Sequence, residues 1–329
     1  MHRLLTLSIA TVLVLVGAVV ALEARRQIGK PFPGFLVLEN GVVPSVGFGR
    51  WPATRDGRLF QYRVAAVDGV PVAEADSLLS AVAAQPIGST LHYRFESGGD
   101  AFERDIAIRR FDARDFASLY GVYLMNGLIF TLAGLVVALR RSQGSLSAVP
   151  FLVTGALWGL TAIDLYGPYR FFRLHALAES FLFASILQLA LCFPARTRIA
   201  RDWPGLVLAP YAASAVGALF YQVALNDPAT YRVAHLLCTT LNGAALIVLL
   251  STQLAVARCH HSLRAHWIRL AIAGSAFAAV LPAALLSVGE LWTGGRMPQN
   301  AIGYTAFLLP MALLAVPGRM EAARSRAAE

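Results

Sequence analysis

Asp164, Glu179, His235 and Glu290 can each gain or lose a proton, and each lies in or beside a run of almost wholly apolar sequence. A charge held in hydrocarbon is costly unless it meets a partner or water, so such residues mark polar features inside an apolar block. Arg170 and Arg173 stand in the connection between the run that holds Asp164 and the run that holds Glu179. The six side chains form a candidate outer polar pocket, fit to hold a polar or charged ligand. The alternative is that each sits at headgroup level or pairs locally, with no ligand.

Other chemistry-bearing patterns are missing. There is no HExxH and no Gly-x-Ser-x-Gly, and Ser275 has no clear histidine partner. His260, His261 and His266 share one loop with arginines and no carboxylate, which reads as a solvated loop rather than a metal site. Cys192, Cys238 and Cys259 are an odd, scattered set with neither disulfide nor CxxC spacing. No catalytic residue, metal or cofactor is expected, and the chain does not read as an enzyme.

The elements that must position the polar residues are long apolar runs. Of the 329 residues, 57% are hydrophobic and 14% charged, against about 25% charged in a soluble protein. Seven runs span 116–139, 146–166, 174–193, 206–225, 234–257, 268–288 and 301–316. Each approaches the roughly 20 residues that carry a helix across the hydrocarbon layer, where only self-satisfied backbone is tolerated. An eighth, 4–22, precedes them and reads as an uncleaved anchor, since it is longer than a signal-peptide core; a signal peptide cleaved at Val19-Val20-Ala21 is the alternative. Arginines alternate with the loops: Arg140 and Arg141, then Arg196, Arg198 and Arg201, then Arg258, Arg264 and Arg269, then Arg319, Arg324 and Arg326. The opposite loops hold only Arg170, Arg173, Arg232 and Arg296. The positive-inside rule then places both termini in the cytoplasm. The net charge of +9 belongs to these span ends, so the partner it implies is the lipid bilayer and not nucleic acid.

The expected domains are a transmembrane anchor (1–22), an extracytoplasmic domain (23–115), a seven-helix membrane domain (116–316) and a basic cytoplasmic tail (317–329). Pro282 and Pro310 lie within runs and are expected to kink them, and Gly155 and Gly159 form a GxxxG suited to close packing. Asn126, Gln188, Asn242 and Gln253 lie deeper and suit hydrogen bonds between helices.

Between 23 and 115 the composition turns polar. Residues 58–67 alternate as a strand, Asp68-Gly69 is a turn dipeptide, and 73–84 has helical spacing with Leu78, Leu79, Val82 and Ala83 on one face. Residues 89–96 and 102–108 alternate as strands, joined by the hairpin loop Ser97-Gly98-Gly99-Asp100. The run from Val67-Asp68-Gly69-Val70-Pro71-Val72 through the helix to Gly88 and the two closing strands resembles the second half of a PDZ domain, over about 45 residues. That resemblance implies a peptide-binding groove whose loop of backbone N–H groups holds a terminal carboxylate. Lys30, Gly34 and Phe35, in Lys30-Pro31-Phe32-Pro33-Gly34-Phe35, are the candidate residues. Pro33 removes one donor from such a loop, and a structural spacer is the alternative reading.

The whole layout is similar to the sensory input module of bacterial histidine kinases of the competence-pheromone sensor kind. The shared features are an anchor helix, an exported PDZ-like segment with Pro-Phe-Pro-Gly-Phe-Leu-Val, and a multi-span block with Cys192-Phe193-Pro194 closing one span. With about a dozen residues after the last run, the input module is implied without its kinase domain. The expected protein is therefore an α-helical polytopic protein of the bacterial inner membrane with about eight transmembrane helices and an extracytoplasmic α/β PDZ-like domain. Its expected function is non-catalytic sensing: an outside ligand or peptide is received, and a separate cytoplasmic signalling protein is biased. The alternatives are a small-solute transporter and a scaffold that recruits envelope proteins.

Overall fold

The computed structural model describes residues 2–140, 146–193, 196–258 and 300–315, with a few positions between 274 and 293. Glu290, Pro282, the three loop histidines, Cys259, most of the expected span 268–288 and the tail 317–329 lie outside the described residues.

The chain enters through α1 (His2–Arg25). The domain that follows is built on β1 (Pro31–Phe32), β2 (Arg63–Val67), β3 (Val70–Pro71), α2 (Ala75–Ala83), β4 (Thr90–Ser97), β5 (Asp100–Ala107) and β6 (Arg109–Arg110). The main sheet is antiparallel in the order β3-β2-β4-β5. Two dipeptides set its register. Asp68 and Gly69 (φ 48° and 78°) turn β2 into β3, and Gly98 and Gly99 (φ 58° and 90°) turn β4 into β5. Two consecutive positive φ values give the turn whose twist matches the paired strands. β2 begins at Arg63, not at Arg58 as the alternation suggested, because 58–62 forms turns that bring Leu59, Phe60 and Tyr62 into the core. Strands alternate, so Leu91, Tyr93 and Phe95 of β4 all point inward. There they meet Leu78 and Val82 of α2, Phe35 and Trp51.

β1 and β6 form a separate two-stranded neck where the chain enters and leaves the domain, pairing Pro31 with Arg110 and Phe32 with Arg109. Just below it the Gly29 N–H donates to the Phe111 carbonyl at 2.7 Å.

The chain then passes into helix. Asp112 caps α3 (Ala113–Phe116) through a reciprocal box with Asp115. A π-helical stretch (Ala117–Gly121) leads directly into α4 (Val122–Arg140). α5 (Val149–Thr161) ends in a 3₁₀ turn (Ala162–Tyr166), and α6 (Phe172–Cys192) follows. A short α7 (Arg198–Asp202) precedes α8 (Gly205–Ala224). α9 (Pro228–Arg258) is 31 residues long and starts at Asp227, whose carboxylate accepts from the Thr230 N–H at 2.9 Å. That bond and the Thr230 hydroxyl hold the Asp227 pKa below the usual carboxylate range. α10 (Asn300–Thr305) and α11 (Leu308–Ala315) complete the described chain.

Among the described residues, six helices are long and apolar enough to cross a membrane, and Gly303–Leu314 is a shorter apolar helix. Large apolar side chains face outward where lipid would lie, among them Leu4 and Leu15 on α1 and Leu208, Leu219 and Val223 on α8. The architecture is that of a multi-pass, mostly helical membrane protein. α4 and α5 pack backbone to backbone: a Cβ on Gly159 would lie 2.8 Å from the Gly127 nitrogen. The GxxxG of α5 thus serves packing within this chain.

The domain sits on one end of the helices. The Asn40 amide donates to the Leu225 carbonyl (3.2 Å), the Tyr169 hydroxyl to the Val37 carbonyl (3.1 Å) and the Arg232 guanidinium to the Ser97 hydroxyl (3.0 Å). One continuous apolar core runs from the sheet into the 3₁₀ turn after α5 and the adjoining ends of α6, α8 and α9. A second occupies the lower bundle.

Candidate functional site: a chamber between domain and helices

A cavity of about 190 Å³ lies at the junction of the two cores. Its roof is the domain segment Leu38, Pro44, Ser45, Val46 and Gln61. Gln61 is 5% exposed and takes up φ 65°, a left-handed backbone conformation uncommon outside glycine. That turn reverses the chain between Phe60 and Tyr62, which go to the core, and Gln61, whose amide bonds the Ser45 hydroxyl at 2.8 Å. The floor is apolar: Phe130, Phe151, Leu182, Ile186, Leu246 and Leu309.

Between roof and floor lies a polar belt with Glu179 at its centre. α6 places His175 and Glu179 four residues apart on one face, one turn above the other. α8 supplies Tyr221, and α9 supplies Tyr231, His235 and Asn242. The Tyr221 hydroxyl donates to Glu179 Oε2 at 2.9 Å, and His235 Nδ1 lies 3.3 Å from Glu179 Oε1. His235 Nδ1 also lies 3.2 Å from the Tyr221 hydroxyl, so the three side chains form one polar cluster. Asn242 Nδ2 donates to the Glu179 backbone carbonyl at 3.2 Å, which fixes the amide orientation and leaves Oδ1 buried with no partner among the described residues. The Thr161 hydroxyl donates its hydrogen to the Leu157 carbonyl (2.6 Å), so His175 Nδ1, 3.2 Å away, is the donor in that pair. Aromatic rings complete the belt. Tyr231 stacks on His235 at 5.8 Å between centroids, Tyr221 lies 5.9 Å from Tyr231, and Trp158 lies 6.2 Å from His175.

Of the six residues expected to form one outer pocket, Glu290 lies outside the described residues; among the other five the structure brings Glu179 and His235 together and gives Asp164, Arg170 and Arg173 other partners. Asp164 is buried, accepts from the Phe171 N–H at 2.6 Å and holds the loop after α5. Arg170 pairs with Glu23 of α1 at 2.7 Å. Arg173 bonds the Asn226 side chain at 2.9 Å and the Gln222 carbonyl at 3.3 Å. Arg173 and Glu179 are six residues apart, about 240° around a helix of 3.6 residues per turn, so they face different neighbours. His175 and Tyr221 were not foreseen. The His175–Glu179 spacing was available in the sequence; Tyr221 carries no local signal.

The three candidate peptide-binding residues lie around the neck. Lys30 is exposed. Gly34 adopts φ 84°, and the Phe35 ring is 1% exposed, edge-on to Tyr93 and Phe95. Leu36, Val37 and Leu38 are buried as well, and the Val37 carbonyl accepts from Tyr169. This stretch is docked on the helical block.

The four deeper amides each bond a neighbouring segment of the bundle. Asn126 reaches the Gly303 carbonyl (2.6 Å), Gln188 the Ser147 carbonyl (3.2 Å), and Gln253 the Phe193 carbonyl (2.9 Å), alongside the Asn242 bond. Among the described residues no group of three or more His, Cys, Asp or Glu is arranged to hold a metal ion. Comparison with protein-family models, curated proteins and solved structures returns no match for this chain.

Proposed function

We propose that this protein is a membrane receptor without catalysis of its own, which takes a ligand into the chamber and biases a separate cytoplasmic partner. One observation carries the reading: the chamber is walled jointly by the domain (Ser45, Gln61) and by α6, α8 and α9 (Glu179, Tyr221, His235). A ligand that touches both bodies has different contacts when they are apart and together, and that difference is what shifts a conformational equilibrium. α6 and α9 also run on from Glu179 and His235 to the opposite face, where Gln253 bonds the Phe193 carbonyl. A shift at the chamber therefore has a continuous helical route to the far end.

In this reading the domain is PDZ-like and lies outside the cytoplasm, eight helices span a bacterial inner membrane, and the chain acts as an input module of the histidine-kinase sensor kind. Its partner is a separate cytoplasmic signalling protein.

The test is a filled chamber. Thr239→Phe places a ring in the cavity in lieu of a ligand. Hydrogen exchange of residues 185–193 and 249–258 is compared with wild type in lipid nanodiscs. The expected result is a folded protein with altered exchange at that far end. Unchanged exchange there, in a variant as stable as wild type, overturns the receptor reading.

A further inference from the structure

The chamber holds the carboxylate of Glu179 and has no arginine or lysine among its described lining residues. An ionised carboxylate offers about four lone-pair positions; Glu179 spends two, on Tyr221 and His235. Asn242 Oδ1 and Gln61 Oε1 are buried and unpartnered among the described residues. The first is fixed as an oxygen by the carbonyl its amide nitrogen serves. Buried acceptors left unmatched are unfavourable, and both residues belong to the lining of the cavity. The lining also holds Trp158, Tyr221 and Tyr231, and aromatic rings attract a cation stripped of water. Beneath them lies the apolar floor of Phe130, Leu182 and Leu246.

From this we propose that the chamber binds a small protonated organic amine carrying an apolar body. The ammonium donates to Glu179 and to Asn242 Oδ1 while lying against the aromatic rings, and its apolar body fills the floor. The size agrees: a dry apolar cavity of about 150 Å³ admits a benzene ring, and this one is about 190 Å³, room for a ring and a short aminoalkyl chain. Carboxylate and phosphate amphiphiles are disfavoured, since Glu179 repels them and none of the described lining residues is an arginine that could clamp them. The inference rests on the chamber being the ligand site of the receptor reading, and names the ligand class.

The experiment is isothermal titration of the full chain in zwitterionic nanodiscs with three probes that share one body: 2-phenylethylamine, 2-phenylethanol and 3-phenylpropionate. The expected order is amine first by at least tenfold over the alcohol, with the acid weakest. Glu179→Gln is expected to erase the preference for the amine. Should that variant not fold, Asn242→Leu is used: affinity for the amine is expected to fall several-fold, and by more than affinity for the alcohol. Thr239→Phe is expected to block all three probes. Equal binding of alcohol and amine, preference for the acid, no binding of any probe, or amine binding that survives Thr239→Phe each overturns the proposal. These outcomes are separate from the receptor test. Amine binding with no change in far-end exchange retains the ligand class and rejects signalling. Altered far-end exchange in Thr239→Phe without amine preference does the reverse.

Discussion

The indole Nε1 of Trp51 donates to the carboxylate of Asp115 at 2.8 Å, joining the core of the α/β domain to the first turn of the helix that enters the bundle. Asp115 also accepts from Arg50 (2.8 Å) and Arg109 (3.0 Å), and it is wholly buried. Two arginines, an indole and a backbone N–H converge on one carboxylate. These contacts brace the joint between the domain and the membrane block on the side of Asp115.

Removing that carboxylate strands partly buried guanidinium groups. Asp115→Ala is expected to destabilise the folded protein by about 3 kcal/mol, the scale for breaking a buried ion pair. Asp115→Asn, which keeps shape and some acceptors, is expected to cost less. Thermal unfolding followed by tryptophan fluorescence checks the order; equal stability of all three proteins would deny the joint its role.

The boundary of the α/β domain follows from the same contact. A fragment of residues 30–112 contains Arg50, Trp51 and Arg109 but not Asp115. A fragment of 28–116 contains all four. The longer fragment is expected to melt higher and to show greater amide protection at Trp51. Identical melting temperatures would contradict this.

Packing between α4 and α5 leaves no room for a side chain at Gly159. Gly159→Ala is expected to cost about 1–3 kcal/mol, the range for overpacking, and to lower the folded yield in membranes. Gly205, where a Cβ would meet nothing within 4 Å, is the control position: Gly205→Ala is expected to accumulate as wild type does.

On the β4–β5 hairpin, His92 Nδ1 lies 2.7 Å from Asp105 and Nε2 lies 3.2 Å from Glu103. Hydrogen bonds to these two carboxylates raise its pKa above the ordinary value of 6.5. A raised value in the folded state means the protonated imidazole contributes stability that is fully present below 6.5 and is lost as pH rises through the folded value. Titrating the His92 ring by NMR is expected to show the upward shift in wild type and a return toward 6.5 in Asp105→Asn. No change on that substitution would remove the pair as its cause.

Much of the fold was legible in the sequence. Six of the apolar runs became helices of membrane length among the described residues, and Asp68-Gly69 and Gly98-Gly99 became the turns of two hairpins, because both signals are local: length for a span, positive φ for a turn. The site was legible only in part. Glu179 and His235 were visible as polar residues in apolar runs. Nothing in the run 44–61 announced that Ser45 and Gln61 would roof a chamber, or that Tyr221 would bond Glu179. Those contacts join residues 42 or more positions apart, and they depend on how the helices are rotated and where the domain docks. The grouping of Arg170 and Arg173 with Glu179 failed for the same reason: a shared side of the membrane does not specify a shared face of a helix.

The two-stranded neck has a consequence for how the chain is put together. Because β1 pairs with β6 and Gly29 bonds Phe111, the polypeptide leaves the bundle and re-enters it at nearly one point. Topologically the α/β domain is an insertion in the hairpin formed by α1 and α4. A short bridge from Gly29 to Asp112 would close that hairpin without moving either helix. The excised protein would keep its transmembrane bundle but lose the lid over Glu179, turning an enclosed chamber into an open well.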